Sequence, residues 1–234
     1  MVLNDVNLEG AIFKQARLIG TDLSRARLSG ADLSQANLTG ANLDEGQLHG
    51  SNLNEAVLVG ANLYGASLNG AAMVQANLNS ANLNRADLEG ADLSSGRLAG
   101  ANLRQTDLTG ATLYAADLGG ASLDQAKLFD AVLTGARAEG AILTGADLSG
   151  SVFAGVSSDT QAETFEAASL AGASLAQVDL SGAYLAGAFL DGCNMKGADL
   201  SGAVLTDTVQ DDGQSQTVTA RLAGVTTDQD TVWP

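Results

Sequence analysis

The amino-acid sequence predicts an all-β solenoid, and three observations predict it. Leu, or a side chain of similar bulk, falls on every fifth residue from Leu8, Phe13, Leu18 and Leu23 through to Leu148 and Phe153, giving 30 centres of which only Ala138 is small. Two positions before each centre stands a small residue, as in Ala11, Ala16, Thr21, Ala26 and Ala31. Gly recurs at the end of many units, as in Gly10, Gly20, Gly30 and Gly40. A period of five rules out the ordinary elements. On an α-helix each step of five drifts by about 140°, which scatters the Leu residues around the cylinder. On a single long strand an odd period sends alternate Leu residues to opposite faces. Three residues of strand (small in, polar out, Leu in) followed by a two-residue corner keep every Leu on one side, and Gly suits the corner because it admits backbone angles that other residues resist.

Composition agrees. Aromatic residues make up 4% of the chain and Pro occurs once, so the apolar mass is Leu and Ala in small repeated units. Asn42, Asn62, Asn82 and Asn102 recur twenty residues apart, as a stacked amide ladder requires. That spacing supports four units per turn. A coil of four units buries about four Leu, worth on the order of 8 kcal/mol before chain entropy is subtracted.

The tandem Ala-(Asn/Asp)-Leu-x-x resembles the pentapeptide-repeat family, and more specifically its cyanobacterial-type members, over nearly all of residues 3–205. The resemblance implies a right-handed quadrilateral β-helix. Some 38 units at four per turn imply about 9–10 coils.

The first run of centres ends at Phe153. A second runs from Leu170 through Leu175, Leu180, Leu185, Leu190, Met195 and Leu200 to Leu205. The expected organisation is one solenoid over residues 1–205 with a loop or short-helix bulge at about 154–168. Asp159 or Thr160 is placed to cap a helical turn there, with Glu163 in the first turn and Phe165 as an irregular centre. Residues 206–234 are expected to form an irregular tail or cap. Ala-Gly-Val-Ser-Ser-Asp at 154–159 and Ala-Gly-Val-Thr-Thr-Asp at 223–228 suggest one wall-exit device used twice. The tail through Trp233-Pro234 resembles one that continues past the Pro in cyanobacterial relatives, so a truncation at Pro234 is expected.

No chemical motif stands out. His49 is the single His and follows Leu48 at an outward corner. Cys193, the single Cys, takes a small inward slot, where a thiol acts as a small hydrophobe. Asp87, Asp92, Asp107 and Asp117 are expected to ring the column rather than converge, which disfavours paired acid–base or calcium chemistry. Arg25 and Glu45 are expected to pair across adjacent coils. Neither a catalytic residue nor a cofactor or metal site is predicted. Some outward positions are apolar: Val132 and Val152, with Phe129 and Ile142 nearby, and then Tyr184 and Val204 on one wall with Phe189 on the next. Cover by the 154–168 bulge or by the C-terminal tail is the expectation for the first cluster and an equal alternative for the second, of which Tyr184, Phe189 and Val204 are the candidate partner or dimer surface.

The net charge is −16. Residues 1–153 carry 16 acidic and 9 basic side chains, and residues 154–234 carry 11 and 2. Direct nucleic-acid binding is disfavoured, because phosphate neutralisation needs a basic patch. No apolar run suggests a membrane span. The start of the chain has no signal-peptide pattern, so a cytoplasmic location is the default. The function expected is a non-catalytic structural or protein-interaction module, monomeric or paired end to end or side by side, with an unidentified protein partner. Two alternatives follow from the resemblance: a DNA mimic that binds DNA gyrase and protects it from inhibitors, and a solenoid domain of a longer protein.

Overall fold

The computed structural model describes residues 1–153, 168–211 and 214–234. Its repeating element is a single-residue parallel bridge between an outward wall residue and the one twenty positions on: Val2↔Asp22, Asn7↔Arg27, Ile12↔Asp32 and Arg17↔Asn37 begin four such series. The chain is therefore a square column. Wall 1 carries Asp22 and Asn42, wall 2 Arg27 and Gln47, wall 3 Asp32 and Asn52, and wall 4 Asn37 and Val57.

The backbone bonds show why five residues close one side. Leu23 N–H donates to Asn42 O at 2.7 Å, and Asn42 N–H donates back to Thr21 O at 2.9 Å, so each wall residue ties adjacent coils. Ala26 N–H donates to Leu23 O at 3.0 Å and closes the two-residue corner between them. Arg25 N–H, within that corner, donates to Asp44 O one coil on. Each side thus satisfies its own polar backbone groups, which lets Leu and Ala pack inward without cost. Leu23 through Leu133 and Leu170 through Leu200 line the interior and are essentially buried, with Met73, Phe153 and Met195 as stand-ins.

Corner conformation explains an alternation in the sequence. The second corner residue is left-handed throughout: Gly60 has φ 63° and Gln35 has φ 58°. At edges 2–3 and 4–1 this position is mostly Gly. At edges 1–2 and 3–4 it is often a long polar residue, held despite the cost of a Cβ in that region. Those side chains bond along the column. Gln15 donates to Gln35 and Gln35 to Glu55, while Arg85 donates to Gln105 and Gln105 to Gln125, at 2.8–2.9 Å. The column therefore has two edges whose second corner residue is mostly Gly and two edges on which that position carries side-chain ladders.

The twenty-residue step breaks at two places. Val152 bridges Tyr184 and Arg137 bridges Ser169, a step of 32. Phe189↔Arg221 is again a step of 32. Both breaks fall on edge 3–4. In each, fourteen residues (154–167 and 206–219) stand where two make a normal corner. Both corners close with the ordinary bond: Ala168 N–H donates to Phe153 O at 3.0 Å, and Ala220 N–H to Leu205 O at 2.8 Å. Asp159, Thr160, Glu163 and Phe165, with the expected loop or helical turn, lie outside the described residues.

Where an irregular tail is expected, the chain forms an antiparallel hairpin of β1 (Thr206–Asp211) and β2 (Gln214–Thr219), in register from Thr206↔Thr219 to Asp211↔Gln214. The coil then resumes, with Arg221, Thr226 and Val232 bridging Phe189, Asn194 and Asp199. These last rungs bring walls 1 and 2 to eleven levels and walls 3 and 4 to ten, slightly more than the 9–10 coils expected. Ala223 and Gly224 are an ordinary corner, so the anticipated second wall exit at 223–228 lies instead at Thr206. Asp228 secures the final stretch by accepting from Gly197 N–H at 2.9 Å, and Thr231 Oγ1 donates to Met195 O at 3.0 Å.

Candidate functional site

Because the interior is filled, every group able to meet a partner lies on a wall, an edge or an end. Apolar wall residues such as Val2, Ile12, Val57 and Ile142 stand singly, but one row of them is continuous, in the C-terminal part of wall 3. Val132, Val152, Tyr184 and Val204 follow one another in unbroken bridges across four coils. Val204 is 36% exposed and the other three are half-buried. Phe129, 45% exposed, stands at edge 2–3 beside the start of this column. Ile142 lies on wall 1, opposite wall 3, so it does not join the cluster expected around Val132 and Val152. The reason is the turn of the coil: ten residues carry the chain halfway round.

The three candidate residues divide between two walls. Tyr184 and Val204 bridge each other on wall 3. Phe189 lies around edge 3–4 on wall 4, between Ser169 and Arg221. The Arg221 guanidinium sits over its ring, 5.0 Å from the centroid, and pairs with Asp191 at 2.7 Å. Ala186, in the short corner between Tyr184 and Phe189, is buried, unlike most corner residues, and stands between the bases of the two fourteen-residue corners.

A feature of wall 2 escaped the sequence reading. Asp147, Asp179 and Asp199 occupy consecutive levels. Each accepts, through Oδ1, from the N–H two residues on: Ser149 at 3.0 Å, Ser181 at 2.8 Å and Ser201 at 2.8 Å. Those serines begin the Ser-Gly corners of edge 2–3, so the carboxylates are tethered toward the apolar wall. Among the described residues none of the three has an ion-pair partner. Higher on the same wall Lys127 pairs with Asp107 at 2.9 Å. A period of twenty applied to the Asp positions finds this column once the twelve-residue register shift is allowed for. Asp87 and Asp107 share wall 2, whereas Asp92 is on wall 3 and Asp117 on wall 4, so these four occupy three walls rather than ringing all of them.

The remaining polar groups bond within the column. The amide ladder on wall 1 runs from Asn102 to Asn82, Asn62 and Asn42 and ends on Asp22, with Nδ2–Oδ1 distances of 2.9–3.2 Å. The Ser24 hydroxyl and N–H bonding Asp22 hold its carboxyl below the usual carboxylate range. Arg25 forms a bidentate pair with Asp5, at 2.8 and 2.9 Å, instead of the expected pair with Glu45. Both acids are twenty residues from Arg25, and the planar guanidinium matches the two oxygens of Asp5. His49 meets Ser29 Oγ at 2.8 Å through Nδ1. Burial pushes the Cys193 thiol up to about 11, and its S–H donates to Leu170 O at 3.0 Å. Among the described residues no cluster of His, Cys, Asp or Glu could hold a metal ion, and no helix is long and apolar enough to cross a membrane.

The family described as Pentapeptide repeats matches in eight copies, over residues 2–40, 31–70, 56–95, 97–130, 131–157 and 165–208. The chain belongs to the pentapeptide-repeat family. It is similar to the crystal structure of HetL, a pentapeptide repeat protein involved in heterocyst differentiation regulation from the cyanobacterium Nostoc sp. strain PCC 7120. That match has 35% identity and a TM-score of 0.82, covering 90% of this chain and 92% of that one. A trypsin-treated variant of QnrB1, a plasmid-mediated fluoroquinolone resistance protein, matches with 18% identity and a TM-score of 0.51, covering 97% of this chain and 89% of that one. At that identity the likeness is one of fold. No curated protein matches the chain. These pentapeptide-repeat neighbours imply a right-handed β-helix, and the square column of parallel bridges accords with it.

Proposed function

We propose that this chain is a non-catalytic protein-interaction module that engages its partner through the C-terminal part, around Tyr184, Phe189 and Val204. The observation that carries the reading is the distribution of outward side chains. Walls of the first part are mostly polar, and bonded ladders hold several of those side chains. From Val132 onward one wall turns apolar over four levels. A rigid column that presents side chains at fixed spacing needs no chemistry to recognise a protein. The likeness to HetL supports a regulatory setting for such contacts. The test is affinity capture from the native host with wild type and a Tyr184→Asp, Phe189→Asp double variant. The reading expects the variant to stay folded by circular dichroism and to lose the captured protein. Unchanged capture and unchanged mass in solution overturn it.

The gyrase-directed alternative has one observation in its favour, the aspartate column of wall 2. B-DNA carries about one negative charge per 1.7 Å of axis, whereas the column rises about 4.8 Å per level, so a single acid per level falls short of duplex charge density. A supercoiling assay with gyrase decides it. If the chain neither inhibits gyrase nor protects it from inhibitor, this alternative is removed.

A further inference from the structure

We infer that edge 2–3 of the C-terminal part docks a basic amphipathic α-helix, laid along the column on wall 3. This names the partner chemistry of the interaction reading above and rests on it. Three features meet there. Val152, Tyr184 and Val204 give an apolar row, one side chain per level. Asp147, Asp179 and Asp199 give a parallel acidic row on the adjoining wall, without ion-pair partners among the described residues. Between them the edge is Ser149-Gly150, Ser181-Gly182 and Ser201-Gly202; Asp130 and Phe129 of the preceding level lie against Gly150, and no long side chain stands over Gly182 or Gly202. The serine N–H bonds hold each Asp Oδ1 toward that edge and leave Oδ2 for a partner.

Spacing selects the helix. Levels repeat about every 4.8 Å. Side chains in one row of an α-helix repeat about every 5.4 Å, so the mismatch over the two steps from Val152 to Val204 is about 1 Å. Side chains on one face of a strand repeat about every 6.8 Å and lose more than that at the first step. A helix of about three turns matches the column, with an apolar row on wall 3 and a neighbouring Lys or Arg row. Long basic side chains lay their stems across the low edge and bring their charge to the aspartates. Charge complementarity also selects the partner: residues 154–234 hold 11 acids against 2 bases, so a second copy of this part is repelled.

The probe is a fluorescent helix-forming peptide of about 14 residues, with Leu at i, i+4, i+7 and i+11 and Lys one residue after each. Anisotropy is read against wild type and three folded variants. The inference expects binding to wild type that weakens with salt. Val152→Ser with Tyr184→Ser should remove it. Asp179→Asn with Asp199→Asn should weaken it about tenfold and flatten the salt dependence. Asp87→Asn with Glu89→Gln, the same charge loss higher on wall 2 and at its corner, should change it less than about twofold. Equal binding of a Leu/Glu peptide, tighter binding of an alternating Val/Lys strand peptide, or indifference to the wall 3 variant overturns the inference. If the peptide is ignored while host-partner capture still requires Tyr184, the helix is wrong and the interaction reading stands. If capture also ignores Tyr184, the reading itself falls.

Discussion

The column before Phe153 and the part after Ala168 use the same inward code and differ in almost everything outward. Up to Phe153 every step is twenty residues, corners hold two residues, and amide ladders run along wall 1 and two edges. Corners of fourteen residues bracket the second run, the amide ladders stop, wall 2 carries Asp179 and Asp199 without ion-pair partners among the described residues, and the apolar row that starts at Val132 and Val152 continues through Tyr184 and Val204. The difference teaches that the interior and the surface of such a column are independent. The Leu position maintains the fold, because each level buries its own apolar residues and bonds only to its neighbours. Corners and walls are then free to change.

The largest effect tests whether the inward code is indeed common to both parts. Leu78→Asp and Leu185→Asp each bury a carboxylate at a fully enclosed site with no partner, at a cost of several kcal/mol. Both should lose the β-type circular dichroism spectrum. A folded Leu185→Asp variant would show that the second part is not the same column. Next in size, replacing residues 206–219 by Ser-Gly restores a normal corner closed by Ala220 N–H and Leu205 O. The account expects a cooperative unfolding transition of nearly unchanged sharpness. Loss of the transition would mean that the hairpin holds the column together.

A smaller effect comes from the regular part. Ser51 occupies a small inward slot, and its Oγ is buried without a hydrogen-bond partner. Ser51→Ala should raise stability by about 1 kcal/mol in denaturant titrations, since an unsatisfied polar atom is removed at little change in volume. Its counterpart in the second part is Cys193. With its thiol raised to about 11, it should resist alkylation at neutral pH until the protein unfolds. The sign of its pH linkage follows. The unfolded thiol ionises first, near 9.0, so its contribution to stability is full below that value and declines as pH rises toward about 11. Rapid labelling of native protein would place the thiol outside the core.

Much of this was legible in the sequence because period five leaves one solution. The twenty-residue turn could be read from Asn42, Asn62, Asn82 and Asn102, whose amides do stack. Other features were hidden for identifiable reasons. Arg25 has an acid one coil away on both sides, and spacing alone does not choose between Asp5 and Glu45. The hairpin has a sequence signal, Asp212-Gly213 between the β-branched runs around Val209 and Val218, which the period of five does not report. The aspartates of wall 2 are 32 and 20 residues apart, so they align only once the extra length of the corner after Phe153 is known. Tyr184, Phe189 and Val204 stood out as apolar residues at outward positions. That Phe189 lies around an edge under Arg221 needed coordinates, because it depends on the resumed coil at residue 221.

The central claim is that the regular part is scaffold and the C-terminal part is the contact surface. One paired measurement tests it: capture of the host partner by Asn52→Asp and by Tyr184→Asp, which introduce the same charge on the same wall in the two parts. With both proteins folded, the account predicts that Asn52→Asp retains the partner and Tyr184→Asp loses it. Retention by Tyr184→Asp, or loss by Asn52→Asp, would contradict the account.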